Sequence, residues 1–302
     1  MKLAFFGAAD FSIPTLELLI NNQFDIGLVI TKPDKPSGRG KKMLSPQVKA
    51  LAQEHKIRLS QPQYKSEILD KIKNVGHFDA AIVVAYGLII PQEVIDYFPL
   101  GIINIHGSLL PKWRGPSPIE AAILNGDDKT GVTIMKISEK MDAGDIYLSK
   151  ELQLDNTITK PQLYKELSHL GANLLVDNLP PILEGDIEAK AQDESLATYS
   201  HMIKKEDGLI DWNKSATDIS REVRAYLGWP GSRTSINYND VIITSVTVDK
   251  SDGKPGDFFV NSSGDLGIYC GKNSLIINSL KPAGRKEISG SEFARGYLKN
   301  SQ

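Results

Sequence analysis

The sequence predicts an α/β first domain followed by a small β-rich domain, and three observations lead there. Short apolar runs alternate with helix-period segments over roughly the first three fifths of the chain, the pattern of a mostly parallel sheet with helices on both faces. After Pro180-Pro181 the chain turns polar and loses apolar periodicity, as a crossing linker does. From about Lys204 one helix is followed by short β-rich runs separated by Gly, Asn and Asp clusters, which favours a small antiparallel barrel. The division that follows is a first domain over 1–185, a linker over 186–203 and a second domain over 204–302.

The strands of the first domain fall at Lys2 to Phe6, Asp25 to Thr31, Ala80 to Ala85, Gly101 to Ile105, Lys129 to Ile137 and Asp145 to Leu152. Helices lie between them. Phe11 to Ile20 carries Leu16, Leu19 and Ile20 on one face, and Ser45 with Pro46 at the first helical position opens another. The longest helix begins at Thr159 with Pro161 just inside it, and Leu163, Leu167, Leu170 and Leu174 recur at the helical period as a buried stripe. In the second domain a helix over Ala216 to Leu227 precedes strands at Ser235 to Tyr238, Val241 to Val248, Asp257 to Val260, Leu266 to Cys270 and Ser274 to Leu280.

Composition bounds the function. With 302 residues, 41% hydrophobic and 24% charged, the chain has the make-up of a globular protein long enough for two cores. The formal net charge of -2 announces no nucleic-acid binder, so any such surface is local. From Ile203 onward there are 14 Lys and Arg against 12 Asp and Glu, a weak asymmetry in the direction an RNA partner requires. The single cysteine, Cys270, excludes an intrachain disulfide and cannot by itself make a zinc site. The apolar run before Asp10 is too short for a signal peptide or a membrane span, and a cytoplasmic protein is expected.

The chemistry concentrates at Asn104-Ile105-His106-Gly107-Ser108-Leu109-Leu110-Pro111 and at Asp142 in a Met-Asp-Ala-Gly-Asp turn. Asn104 and His106 fall at the end of a predicted strand, where open parallel sheets place ligands. An amide, an imidazole and a carboxylate can hold a carbonyl oxygen as it becomes an anion and take a proton from an attacking amine. That chemistry needs no metal. A single His at a strand end is more often structural; the Asn-x-His pattern, the Gly- and Pro-fixed loop after it and the later acid favour an acyl-transfer site.

The second feature is the loop Lys32-Pro33-Asp34-Lys35-Pro36-Ser37-Gly38-Arg39-Gly40-Lys41-Lys42, with five basic residues in eleven positions. It lacks the residue order of a P-loop. Solvated charge is its plain reading, and an arm for a phosphate backbone is the functional one. Arg114 either pairs with a substrate anion or anchors its own loop, and Trp113 beside it could line a substrate cleft. Trp212 and Trp229 are expected in the second core. His55, His77, His169 and His201 have no ligand-spaced partner.

Asn104, His106, Ser108 to Pro111 and Asp142 resemble the folate-dependent formyltransferases, which share this core across tRNA, nucleotide and sugar substrates and a formyl-folate hydrolase. Four flanking segments look like the methionyl-tRNA branch: Thr31 to Asp34 with Gly38 to Lys42, Val84 to Pro91, Lys205 to Trp212 and Lys281 to Lys286. The chain departs from the family at Gly7-Ala8-Ala9, where Gly-Thr-Pro is usual, and at Leu227-Gly228-Trp229-Pro230-Gly231, where Asn-Pro-Trp-Pro-Gly is usual.

The resemblance implies a Rossmann-like formyltransferase catalytic domain joined to an OB-like tRNA-binding barrel, and formyl transfer from 10-formyltetrahydrofolate to the α-amine of methionyl initiator tRNA. Asn104 then donates to the developing oxyanion, His106 donates to it or relays the amine proton, and Asp142 orients His106. Folate, consumed as a cosubstrate, sits against Ser108, Leu109, Leu110 and Pro111 and the turn Tyr86, Gly87 and Leu88. Arg39, Lys41 and Lys42 brace the tRNA acceptor end. A monomer is implied as well. A small-molecule formyltransferase or a formyl-folate hydrolase would keep the triad without needing the Arg39 loop, and a non-catalytic binding module would not need the triad.

Overall fold

The structure, a computed structural model, describes residues 1–37 and 42–298. Its strands are β1 (Lys2–Gly7), β2 (Asp25–Ile30), β3 (Lys35–Ser37), β4 (Lys42–Leu44), β5 (Leu59–Ser60), β6 (Ala80–Val84), β7 (Ile102–His106), β8 (Lys129–Lys136) and β9 (Ile146–Gln153), then β10 (Ser232–Ile236), β11 (Asn239–Asp249), β12 (Phe258–Val260), β13 (Leu266–Tyr269), β14 (Ser274–Pro282) and β15 (Ile288–Ser289). The helices are α1 (Ile13–Asn21), α2 (Gln47–Glu54), α3 (Ile68–Lys73), α4 (Gln92–Ile95), α5 (Pro118–Asn125), α6 (Lys160–Glu184), α7 (Ala216–Ala225) and α8 (Gly290–Tyr297).

The chain forms two compact units. The first comprises Met1–Pro118, Lys129–Gln153 and Tyr164–Ser200. Its main sheet runs β5-β2-β1-β6-β7-β8-β9, parallel from β5 to β7 and antiparallel at β7–β8 and β8–β9. One expected strand, β8, therefore runs against the rest, and β9, antiparallel to β8, returns to their direction. The reason for β9 is connection length: residues 137–145 are too few for the crossover that a parallel neighbour requires.

Alternate residues of the central strands bury opposite faces of the sheet. One face sends Ala4, Phe6, Leu28, Ile30, Ala81, Val83 and Ile102 into a core with Ile68 and Ile72 of α3 and Val94 of α4. On the other, α6 comes so close that a Cβ added at Gly171 would lie 2.6 Å from Ile105. The buried stripe of α6 differs from the expected one: Leu163 and Leu167 are fully buried, but Ala172, Leu175 and Leu179 continue it while Leu170 and Leu174 are only half-buried.

Three starts and turns also differ. Pro46 caps α2 without a side-chain bond, and the helix begins one residue later than expected, at Gln47; the Ser45 hydroxyl instead helps Lys49 and Gln61 hold the Asp34 carboxyl below its usual range. β3 and β4 pair antiparallel through Lys35↔Leu44 and Ser37↔Lys42, so the basic loop is a hairpin up to its tip. Residues 190–200, expected within a linker, are tied into the first unit: Lys190 bridges Ile146, and the Thr198 carbonyl accepts from the Arg114 amide at 2.9 Å.

The second unit comprises Ile119–Asp128, Leu154–Leu163 and His201–Gln302. Its sheet runs β10-β11-β14-β13-β12 with β15 beside β14, and every pairing is antiparallel. Register shifts around Ser245 break the β11–β14 ladder, and such bulges bend and twist a strand. The sheet curls into a half barrel, open between β10 and β12 among the described residues. Its core joins Ile219 and Val223 of α7, Phe293 of α8 and the inward residues of β11, β13 and β14. Ser215 caps α7 and a Ser289–Glu292 capping box starts α8, each cap contributing on the order of 1 kcal/mol. Asn237 and Tyr238, expected in a strand, form the β10–β11 turn with φ of 45° and 61°, the twist a two-residue hairpin needs. Trp212 packs against this core, whereas Trp229 is 53% exposed.

Candidate active site

At the carboxyl edge of β1, β2, β6 and β7 the chain leaves the sheet through Ala8-Ala9, Thr31-Lys32, Ala85 to Leu88 and Gly107 to Pro111. β7 delivers Asn104 and His106 to that edge. They are two residues apart on a strand and so share a face. His106, 7% exposed, is the last residue of β7 and pairs with Thr133 of β8. Its Nε2 lies 3.0 Å from the Trp113 carbonyl. A carbonyl only accepts, so that contact assigns the hydrogen to Nε2 and leaves Nδ1 for the other side of the ring.

Nδ1 faces Asp142, whose Oδ2 is 3.7 Å away. Because β8 is antiparallel, the β8–β9 turn leaves beside the start of β7, with Lys136 opposite Ile103. Residues 137–145 carry Asp142 back toward His106. The turn is held hard: Asp142 has φ +50°, its Oδ2 accepts from the Gly115 amide at 2.8 Å, and its own carbonyl accepts from Gln192 Nε2 at 2.9 Å.

The loop after β7 is braced from both sides. The Thr133 hydroxyl donates to the Ser108 carbonyl at 2.7 Å and accepts from the Leu110 amide at 3.1 Å. The Trp113 amide donates to Thr198 Oγ1 at 2.9 Å. Arg114 is 2% exposed and anchors its loop: Nε and one terminal nitrogen reach Gln192 Oε1 at 3.1 and 2.8 Å, and the fork takes both oxygens of Glu194 at 2.9 and 2.8 Å. This bidentate pair raises the guanidinium and holds the Glu194 carboxyl below its usual range. Gln192, Glu194, Thr198 and Ser200 were missed by sequence reasoning; their partners lie 48 to 86 positions away, and no local pattern marks them.

The residues expected to face folate sort by exposure. Ser108 is fully buried and its hydroxyl donates to the Lys112 carbonyl at 2.6 Å, so its side chain braces the loop. Tyr86 is 1% exposed, edge-on to Phe6 at 5.4 Å, and burial pushes its phenol up to about 12. Its side chain belongs to the core, leaving only its backbone for the cleft. Gly87 has φ +64°, Leu88 is 47% exposed, and Leu109 and Pro111 are half-buried while Leu110 is buried. Lys32 approaches Gly87 so closely that a Cβ there would lie 2.7 Å from its Nζ, and burial, then Lys35, lowers its pKa. At the altered opening turn the Ala9 amide donates to the Ala85 carbonyl at 3.3 Å.

Of the expected tRNA contacts, Arg39 and Lys41 lie outside the described residues, and Lys42 is placed only by its backbone in β4. Among the described residues no group of three or more His, Cys, Asp or Glu could hold a metal ion, and no helix is long and apolar enough to cross a membrane.

Two regions match models described as formyl transferase, residues 1–179, and formyl transferase, C-terminal domain, residues 202–298. The chain is 36% identical over 299 residues to the methionyl-tRNA formyltransferase of Geotalea daltonii, covering 98% of this chain and 96% of that one. With the methionyl-tRNA formyltransferase of Coxiella burnetii it shares 37% over 300 residues, again 98% and 96%. Among solved structures, an N-formyltransferase from Helicobacter canadensis in complex with folinic acid and dTDP-3-aminofucose has a TM-score of 0.70 at 21% identity, covering 92% of this chain and 98% of that one. A variant of HypX from Aquifex aeolicus has a TM-score of 0.70 at 18% identity over 99% of this chain. The chain spans about half that protein's length, 49%.

Proposed function

The chain belongs to the formyl transferase family, with methionyl-tRNA formyltransferases as full-length relatives, and on that premise we propose that it transfers the formyl group of 10-formyltetrahydrofolate to the α-amine of methionyl initiator tRNA. The observation that carries the reading is the meeting of His106 and Asp142 at 3.7 Å beside Asn104 in a chain whose relatives align over 98% of its length.

In this reading the amine nitrogen bonds to the formyl carbon as the carbonyl oxygen gains negative charge. The Asn104 amide donates to that oxygen. His106 Nε2 is engaged with the Trp113 carbonyl, so Nδ1 accepts the proton the amine sheds or, once protonated, donates to that oxygen, and positive charge on the ring is met by the Asp142 carboxylate. The carbon–nitrogen bond to folate then breaks and the departing nitrogen takes a proton. An α-amine has a reference pKa of ~7.7 to 8.0 and is partly neutral near pH 7, so it needs little activation. Positioning and oxyanion stabilisation dominate, and one such donor is worth ~2.7 to 4 kcal/mol of barrier.

The turn Ala85 to Leu88 fits a flat pterin: two left-handed positions, Ala85 and Gly87, open its backbone, and the exposed side chains of Leu88 and Ile89 offer apolar cover. Leu109 to Pro111 supply the opposite wall. Arg39, Lys41 and Lys42 are assigned to the acceptor end of the tRNA, and residues 204–302 to its body through phosphate contacts, which give affinity without reading sequence. Initiator selection then rests on the shape and pairing of the acceptor end. The proposal includes a catalytic domain from residue 1 that takes in residues 190–200, a tRNA-binding domain over 204–302, a monomer and a cytoplasmic setting.

The test is formyl transfer with methionyl initiator tRNA, methionyl elongator tRNA and no tRNA in parallel. Initiator-dependent formylation is expected; folate turnover without tRNA would make the protein a hydrolase instead.

A further inference from the structure

Gln192 occupies a position with no slack. Its Oε1 accepts from Arg114 at 3.1 and 2.8 Å, and its Nε2 donates to the carbonyls of Asp142 and Gly144 at 2.9 and 2.7 Å. All four contacts fix the amide in one sense, because turning it over would set an oxygen against two carbonyls and an NH₂ against a guanidinium. The cation on the far side is itself 2% exposed and clamped by Glu194. The amide therefore connects a rigid anchor to the turn that carries the catalytic carboxylate.

That turn needs an external hold. Asp142 sits at φ +50°, a left-handed conformation that costs a non-glycine residue free energy and persists where its surroundings over-determine it. Gly115 secures the side-chain end of Asp142 at 2.8 Å, and Gln192 secures the backbone on either side of Ala143. The same strap sets His106, since the Trp113 whose carbonyl faces Nε2 has its amide on Thr198.

We propose that Gln192 is a positioning residue for formyl transfer: it acts through Asp142, holding the left-handed turn so that the carboxylate faces His106 Nδ1. The inference rests on the assignment of Asp142 and His106 as the catalytic pair. The polar atoms of the Gln192 side chain are all taken up by Arg114 and the carbonyls of Asp142 and Gly144, so its loss should spare substrate binding. A shift of ~1 Å at a reacting group can cost ~100-fold in rate.

The experiment is a double-mutant cycle on the full chain, reading single-turnover formylation of methionyl initiator tRNA and the KM for 10-formyltetrahydrofolate. Gln192→Ala should lose ~100-fold in rate with KM within about twofold of wild type. In an Asp142→Asn background the same substitution should cost less than about threefold, because residues that act as a unit are not additive. Gln192→Met keeps the side-chain length without its polar atoms and is read in place of Gln192→Ala if that variant fails to fold. Equal fold-losses in both backgrounds, or an unchanged rate in the Gln192 variant, overturn this inference alone. A wild-type rate in Asp142→Asn overturns it together with the assignment of the pair.

Discussion

Asp142 Oδ2 stands 3.7 Å from His106 Nδ1 and 2.8 Å from the Gly115 amide. The carboxylate's hydrogen bond goes to the loop, and the imidazole receives its field. The ring's orientation comes instead from the Trp113 carbonyl at Nε2. Asp142→Asn keeps the shape and an oxygen for Gly115 while removing the charge. It should lower the rate of formyl transfer by less than His106→Ala does, with little change in KM for folate. Equal losses in the two variants would mean that Asp142 sets the ring geometry after all.

Gly115 is the other half of that relationship. It has φ +112°, and a Cβ there would come within 2.7 Å of the Ser200 carbonyl. Gly115→Ala should destabilise the protein by about 1–3 kcal/mol through backbone strain and also slow transfer by moving the amide that holds Asp142. Urea unfolding and single-turnover rates measure both. A fully active, fully stable variant would show that the loop can relax without disturbing the carboxylate.

The first domain was legible because its central strands are buried on both faces and read as apolar runs, and because Asn104 and His106 lie at a strand end. The direction of β8 was not, since a run such as Thr130 to Met135 carries no mark of which way it will pair with its neighbour. Tyr86 was expected at the cleft through its turn, and its side chain packs in the core, because motif position says nothing about which way a side chain turns. The brace formed by Gln192 and Arg114 is a contact 78 positions apart, invisible to any window along the chain. The capped helices α7 and α8 show the reverse: Ser215 and the Ser289–Glu292 box are local signals that local chemistry satisfies.

Glu222 of α7 is 9% exposed, and burial raises its carboxyl pKa even though Lys214 pairs with it. The folded state therefore holds the proton more tightly than the unfolded chain does. The sign follows from linkage: stability falls as pH rises from the ordinary carboxyl value, ~4.3, through the raised folded value. Glu222→Gln should flatten the slope of unfolding free energy against pH in that window. An unaltered slope in urea titrations would contradict the assignment.

Cys270 is 2% exposed in the core of the second unit, and burial pushes its thiol up to about 11. Both facts suppress the reactive thiolate, which at pH 8 would be about one part in a thousand of the folded protein against roughly a quarter of an ordinary thiol. Alkylation by iodoacetamide at pH 8 should be slow in the native protein and fast in urea. Rapid native labelling would place Cys270 at a surface.

The most direct measurement is the initial rate of formyl transfer from 10-formyltetrahydrofolate to methionyl initiator tRNA for wild type, Asn104→Ala and His106→Ala at matched folded concentration. The account predicts tRNA-dependent formylation in the wild type, a fall of ~100- to 1,000-fold in Asn104→Ala, and a comparable or larger fall in His106→Ala. Variants that formylate at the wild-type rate would contradict it and remove the end of β7 from the chemistry.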